Sequence, residues 1–220
     1  MNNKLAKPPP QPAAIILCGG HSKRMRRSKA SLPFGPETLL ERIIRLVSLS
    51  ARPIVIVAAP SQILPKLDPS IILVRDPFPD LGPLPALFTG LAALPAEIEL
   101  AYAAATDAPF LHSSWIPALA NLIGPADIAI PYVKAFHHPL AALYRRDTVL
   151  PLLDRLLSQG HLRLLSLLNH LPTRLLTPED LLPIDPTLQT LRNLNTPQDY
   201  LQALQDAGFP PPQPDPTPTE

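Results

Sequence analysis

An α/β fold in three layers, with a mostly parallel central sheet between helices, is what this 220-residue sequence predicts. Two observations predict it. Short, continuously apolar runs alternate with stretches of helical spacing, as strands buried on both faces require. The residue types suited to binding a charged ligand fall directly after two of those runs, at the edge where open α/β sheets bind.

Each element has its own justification. Ala13–Leu17 is a buried strand that runs straight into Gly19-Gly20. Glu37–Leu49 has helical spacing, and Pro53–Ala58 is a β-branched strand. Ile71–Val74 is a strand, Pro83–Leu94 a helix, Leu100–Ala105 a strand, and Ser113–Ile123 a helix. Right-handed crossovers then bring the carboxyl ends of these strands to one edge. Beyond about residue 125 the pattern changes. Asp127–Tyr132 and Leu140–Tyr144 read as strands, Thr148–Ser158 and Leu162–Leu168 as leucine-rich helices, and Leu191–Leu194 as a last strand before a helix. The predicted domain covers residues 13–208, in two halves that meet where the pattern changes, about 13–124 and about 125–208. Proline-rich tails at 1–12 and 209–220 lack the apolar side chains to pack.

Composition narrows the function. With 46% hydrophobic and 17% charged residues, the chain can bury a core. A net charge of +1 argues against a nucleic-acid surface. The single cysteine, Cys18, excludes an intramolecular disulfide framework and a cysteine-rich zinc site. No apolar stretch reaches the roughly 18 residues of a membrane span, and the polar, proline-rich start is unlike a secretory signal. A soluble cytoplasmic protein is expected.

The positive charge is concentrated. Five of the nine residues from His21 to Lys29 are Lys or Arg, none acidic, and they follow the glycine pair. Glycine tolerates positive φ and lets backbone N–H groups approach a phosphate. Lys23, Arg24, Arg26, Arg27 and Lys29 supply charge for a polyphosphate. The spacing matches neither a P-loop nor a GxGxxG fingerprint. Thr106-Asp107-Ala108-Pro109-Phe110 ends the strand that begins near Leu100. Asp107 is either a hard carboxylate for Mg²⁺ on that polyphosphate, or a residue that caps the helix near Ser113 or begins a turn with Pro109. Cys18, Trp115 and Tyr144 read as packing residues.

The string from Leu17 through Gly19-Gly20, Ser22 and Arg24-Met25 to Lys29 resembles the signature of the MobA-like nucleotidyltransferases. The double glycine is most similar to the members that guanylylate molybdenum cofactor. Leu32-Pro33-Phe34-Gly35, Asp76 with Gly82-Pro83-Leu84, Asp107-Ala108-Pro109-Phe110-Leu111, His138-Pro139-Leu140 and Asn195-Thr196-Pro197 resemble further family segments. The resemblance implies a Rossmann-like nucleotidyltransferase fold. It implies GMP transfer from GTP to the phosphate of molybdenum-molybdopterin, and molybdoenzymes or cofactor-delivery proteins as later partners. By position, Leu17, Cys18, Gly19 and Gly20 would contact the nucleotide, Lys29 the α-phosphate and Arg24 the triphosphate tail. Asp76 would face base or ribose, and Asp107 would ligate Mg²⁺. The alternatives are a relative using CTP or a sugar-phosphate acceptor, and a non-catalytic nucleotide-binding homologue. Three departures stand out: Arg26 replaces a glycine, Ser28 an aspartate, and Pro85-Ala86 an Ala-Gly pair. The guanine-reading residue of some members has no equivalent in Ala58-Ala59-Pro60.

Overall fold

The structure, a computed structural model, describes residues 11–19, 28–78 and 80–212. Strand β1 (Ala13–Leu17) leads through a 3-10 turn (Lys29–Ser31) to a small hairpin of β2 (Pro33–Phe34) and β3 (Glu37–Thr38). Helix α1 (Leu39–Val47), β4 (Ile54–Ala58), β5 (Ile72–Arg75), α2 (Pro83–Ala92), β6 (Leu100–Ala105) and α3 (Trp115–Leu122) follow. The remainder holds β7 (Ile128–Val133), β8 (Phe136–His137), β9 (Leu143–Arg145) and α4 (Arg146–Ser158). Strand β10 (Thr173–Leu176), α5 (Pro178–Leu181) and α6 (Pro197–Asp206) complete it. Among the described residues no helix is long and apolar enough to cross a membrane.

Strand β1 lies between β4 and β6, parallel to both, with β5 parallel outside β4. On the far side β9 runs antiparallel to β6 and to β7, and β10 adds parallel to β7. The chain therefore builds outward from β1 through β4 and β5, then returns to the other flank with β6. That reversal opens a crevice at the carboxyl ends of the central strands.

The period-two alternation of the strands sorts the core into two faces. Ala14, Ile16, Ile54, Ile56, Tyr102 and Ala104 pack with Leu40 and Ile43 of α1 and Trp115 and Leu119 of α3. Ala13, Ile15, Val55, Val57, Ala101 and Ala103 pack with Leu84, Leu87 and Leu91 of α2 and Val149, Leu153 and Leu156 of α4. Helix α2 comes so close that a Cβ on Gly90 would stand 2.4 Å from Ile15 Cγ2. Trp115 and Tyr144 are buried packing residues, with Trp115 Nε1 donating to the Ala141 carbonyl and Tyr144 Oη to that of Pro139.

Local chemistry sets the helix starts. Thr38 and Glu41 form a reciprocal capping box on α1, and Thr196 and Asp199 form one on α6 with Pro197 in the first turn. Pro83 and Pro85 both lie in the first turn of α2, where N–H groups have no intrahelical acceptor. The proline at position 85 therefore costs α2 no hydrogen bond.

Several expectations are corrected. Helix α1 begins at Leu39, not Glu37, because Glu37 and Thr38 pair with β2. The predicted helix Leu162–Leu168 is a 3-10 segment, Leu164–Asn169, whose buried Leu164 and Leu167 are three apart, the spacing that eclipses in a 3-10 turn. The predicted strand Leu191–Leu194 is absent. A 3-10 turn (Gln189–Leu191) stands there, and Leu194 N–H donates to the Asp107 carbonyl instead of a sheet ladder. The strand predicted at Leu140–Tyr144 starts at Leu143, after a 3-10 turn over Pro139–Ala141. Strand β10 escaped detection because Thr173-Arg174-Leu175-Leu176 is half exposed at a sheet edge and carries no alternation. At the chain ends, Pro12 is buried, with its carbonyl accepting from Arg52 N–H. Phe209 packs edge-on against Phe34 at 5.6 Å. Gly35 has φ of 69°, and a Cβ there would lie 2.5 Å from the Phe209 ring.

Candidate active site

A cavity of about 410 Å³ opens at the carboxyl ends of β1, β4, β5 and β6. It is lined by Leu17, Cys18 and Gly19 after β1, Asp76 after β5, Thr106 and Asp107 after β6, and by Lys29. Every described residue that the sequence singled out for the site thus meets in one place. Gly20 and Arg24, with the basic residues up to Arg27 and the substituted Arg26 among them, lie outside the described residues.

The electrostatic centre is an ion pair. Lys29 Nζ stands 2.6 Å from Asp107 Oδ2, although 78 positions separate them in sequence. Both side chains are mostly buried, at 19% and 17% exposure. In the open sequence reading Asp107 could have capped the following helix. The structure decides otherwise: Ser114 occupies the N-cap of α3, without a side-chain cap, and the Asp107 carboxylate is turned to Lys29.

The Asp107 loop is held from several sides. Arg42 Nε donates to the Pro109 carbonyl at 2.7 Å while its guanidinium lies 4.7 Å from the Phe34 ring centre. Thr190 Oγ1 accepts from His112 N–H at 3.0 Å. The buried Asp185 holds Thr190 in turn, accepting from its N–H at 2.8 Å and from Thr187. Burial pushes the Asp185 carboxyl up, but the bonds from Thr190 and Thr187 outweigh it and hold the group below the usual carboxylate range.

Asp76 is 7% exposed, and its Oδ1 accepts from Phe78 N–H at 2.9 Å, closing a local turn. Cys18 is buried, which pushes its thiol up to about 12 against a smaller opposing pull from Arg75. A thiol so rarely ionised at neutral pH is no nucleophile, in keeping with a packing role. Gly19 departs from the sequence rationale in one respect. Its φ is not positive, and among the described residues a Cβ there would meet only Ala59 N at 3.6 Å, an ordinary contact. Among the described residues nothing in the packing demands this glycine; backbone approach by a ligand remains its rationale.

Sequence reasoning missed part of the lining. Asp80, Asn193 and Val57 border the cavity, as do Thr106 and Ala86, which the sequence offered only within motifs. Leu140, quoted only as part of a motif, is there because the 3-10 turn after β8 brings it in. The Asn195-Thr196-Pro197 stretch is a helix cap, and its contribution is to deliver Asn193 and Leu194 to the site. Arg42, Thr190 and Asp185 carried no local signal, because their part is played through distant backbone groups.

A mostly parallel sheet with a cavity and a lysine-carboxylate pair at its switch point defines an open α/β protein with a site for a charged ligand. The chain belongs to the family described as MobA-like NTP transferase domain, which matches residues 14–174, and it is a nucleotidyltransferase enzyme. It is 36% identical over 202 residues to a protein of Mycobacterium avium named probable molybdenum cofactor guanylyltransferase, covering 90% of this chain and 96% of that one. Among solved structures it resembles molybdopterin-guanine dinucleotide biosynthesis protein A of Archaeoglobus fulgidus. That likeness has a TM-score of 0.73 and 21% identity over 89% of this chain and 98% of the other. It also resembles 2-C-methyl-D-erythritol 4-phosphate cytidylyltransferase of Thermus thermophilus, with a TM-score of 0.70 and 15% identity over 90% and 100%. These two likenesses establish the fold.

Proposed function

We propose that this enzyme transfers GMP from GTP to the terminal phosphate of molybdenum-molybdopterin, releasing pyrophosphate, in the cytoplasm. The observation that carries the transfer is the Lys29–Asp107 pair at the cavity. The choice of substrates draws on the name of the mycobacterial relative. In the structure the two charges of the pair neutralise each other. A magnesium nucleoside triphosphate offers each partner an opposite charge of its own, so the pair opens without stranding either group.

The reaction forms a bond from an anionic oxygen of the acceptor phosphate to the α-phosphorus and breaks the α–β bridging bond. The pair of that bond leaves with pyrophosphate. Since the nucleophile is already an anion, no strong base is required, and positioning and charge neutralisation carry the catalysis. Lys29 binds the α-phosphate and stabilises its growing charge. The backbone at Leu17, Cys18, Gly19 and Gly20 seats the nucleotide, Arg24 holds the phosphate tail, and Asp76 faces the base or ribose. Asp107 would hold Mg²⁺, which supplies charge neutralisation to the polyphosphate. A single carboxylate suits this ion, whose remaining ligands are ordinarily phosphate oxygens and water, and no cluster of three metal-binding side chains occurs among the described residues.

The test is pyrophosphate release with GTP, Mg²⁺ and molybdenum-molybdopterin, beside a panel of GTP, CTP, ATP and UTP read by thermal shift. Stabilisation by GTP and acceptor-dependent release are expected. Stabilisation by CTP and not GTP would overturn the guanylyl assignment.

A further inference from the structure

Gln62 lies in the turn after β4, outside the lining of the cavity, yet its side-chain amide reaches three other groups. Nε2 donates to the Cys18 carbonyl at 3.0 Å and to Ser28 Oγ at 2.9 Å, and Oε1 accepts from Ala59 N–H at 3.1 Å. This arrangement has one orientation only. A flipped amide would set oxygen against the Cys18 carbonyl and NH₂ against the Ala59 N–H. The turn is itself anchored, because Arg75 Nη1 donates to the carbonyls of Ala59 at 3.0 Å and Gln62 at 2.8 Å.

Cys18 and Ser28 have a particular place in the chain. Cys18 ends the run out of β1, and Ser28 immediately precedes Lys29, whose ammonium meets Asp107. We propose that Gln62 is a positioning residue whose one amide sets the distance between Cys18 and Ser28 and thereby the place of Lys29. The proposal rests on the reading that Lys29 and Asp107 act on the nucleotide. It also gives a use to Ser28, the residue that departs from the resembled motif: its hydroxyl oxygen is the acceptor for Gln62.

The experiment compares full-length Gln62→Ala, Gln62→Glu, Ser28→Ala and the Gln62→Ala/Ser28→Ala pair. Gln62→Ala is expected to raise KM for GTP about tenfold and lower kcat several-fold, with Ser28→Ala about threefold in KM, the scale of one or two lost hydrogen bonds. Gln62→Glu keeps the shape of the side chain but puts an acceptor where Nε2 donated, so it should be at least as damaging as Gln62→Ala. The double variant should be no worse than Gln62→Ala, because both changes cut the same link. A near-normal Gln62→Glu, or additive effects in the pair, would assign Gln62 to packing and overturn the proposal. Amide exchange at Ala59, expected to speed about tenfold in Gln62→Ala, reads the link without any turnover. A wild type inactive with GTP but showing that exchange change would remove the guanylyl assignment alone; unchanged exchange would remove the link alone. If Gln62→Ala does not fold, Ser28→Ala decides, and an unaltered KM there overturns the proposal.

Discussion

The loop carrying Asp107 is bonded from three distant segments, through Arg42 to Pro109, Thr190 to His112, and Leu194 to the Asp107 carbonyl. The stretch from Asp76 to Gly82, on the other side of β1, is bonded mainly within itself among the described residues. Asp76 closes a turn on Phe78, Leu81 N–H reaches the Phe78 carbonyl at 3.4 Å, and only Asp76 N–H crosses to β4. Asp80 and Gly82 both take positive φ, 66° and 90°, and Phe78 and Leu81 are 40% and 43% exposed. Bonds from distant segments locate a group in space, whereas a local turn defines its conformation and leaves its place to the neighbouring chain. A group at the reacting phosphorus, the place proposed for Asp107, needs the former, since misplacement by an ångström is costly there. A wall that faces base or ribose, the role proposed for Asp76, tolerates the latter.

The widest separation between the two sides should appear in turnover. Asp107→Asn and Lys29→Ala are each expected to lower kcat at least about 100-fold, near 2.7 kcal/mol of transition-state stabilisation. Steady-state kinetics with GTP would show it, and near-normal activity in either variant would remove that residue from the reacting centre.

Next comes the support beneath Asp107. Asp185→Ala leaves the N–H of the buried Thr190 unsatisfied, while the exposed Thr187 turns to solvent, and is expected to destabilise by about 2 kcal/mol in urea unfolding. Because the folded protein holds this carboxyl below its usual value, its contribution is complete above the unfolded pKa of about 4 and is lost as pH falls through the folded value. The variant should accordingly lose less stability on acidification than the wild type. Equal acid sensitivity in both would show that Asp185 does not anchor this side.

On the locally bonded side, Asp76→Ala is expected to raise KM for GTP about tenfold while kcat stays within about threefold, the pattern of a lost binding contact. A fall in kcat as large as that of Lys29→Ala would erase the contrast between the two sides. Smallest is Gly19→Ala. Among the described residues its Cβ would meet only Ala59 N, at 3.6 Å, so the thermal midpoint should move by less than about 2 °C, while backbone access is narrowed and KM rises about fivefold. A large loss of stability would mean that the fold, not the ligand, requires this glycine.

Much of this was legible because its causes are local. Continuous apolar runs announced β1, β4 and β6 as buried strands, and the turns after β1, β5 and β6 carried Cys18-Gly19, Asp76 and Asp107. The cap residues Thr38 and Thr196 sit beside the helices they start. Leu191–Leu194 misled because an apolar run looks the same whether its N–H groups enter a sheet ladder or, as at Leu194, bond a loop. The half-exposed β10 gave too little alternation to be seen.

By itself, then, the sequence determined the class of the fold, the order of its central elements and the residue types available at their carboxyl ends. Hydrophobic period and turn chemistry act over a few residues, so they are written where they act. Only the tertiary structure decided which of those residues meet. That Lys29 faces Asp107, that Gln62 joins Cys18 to Ser28, and that Thr190 and Leu194 support the Asp107 loop are outcomes of packing helices on a sheet. Such partners are chosen by the path of the whole chain, and no local pattern encodes the distance between segments that come together only when it folds.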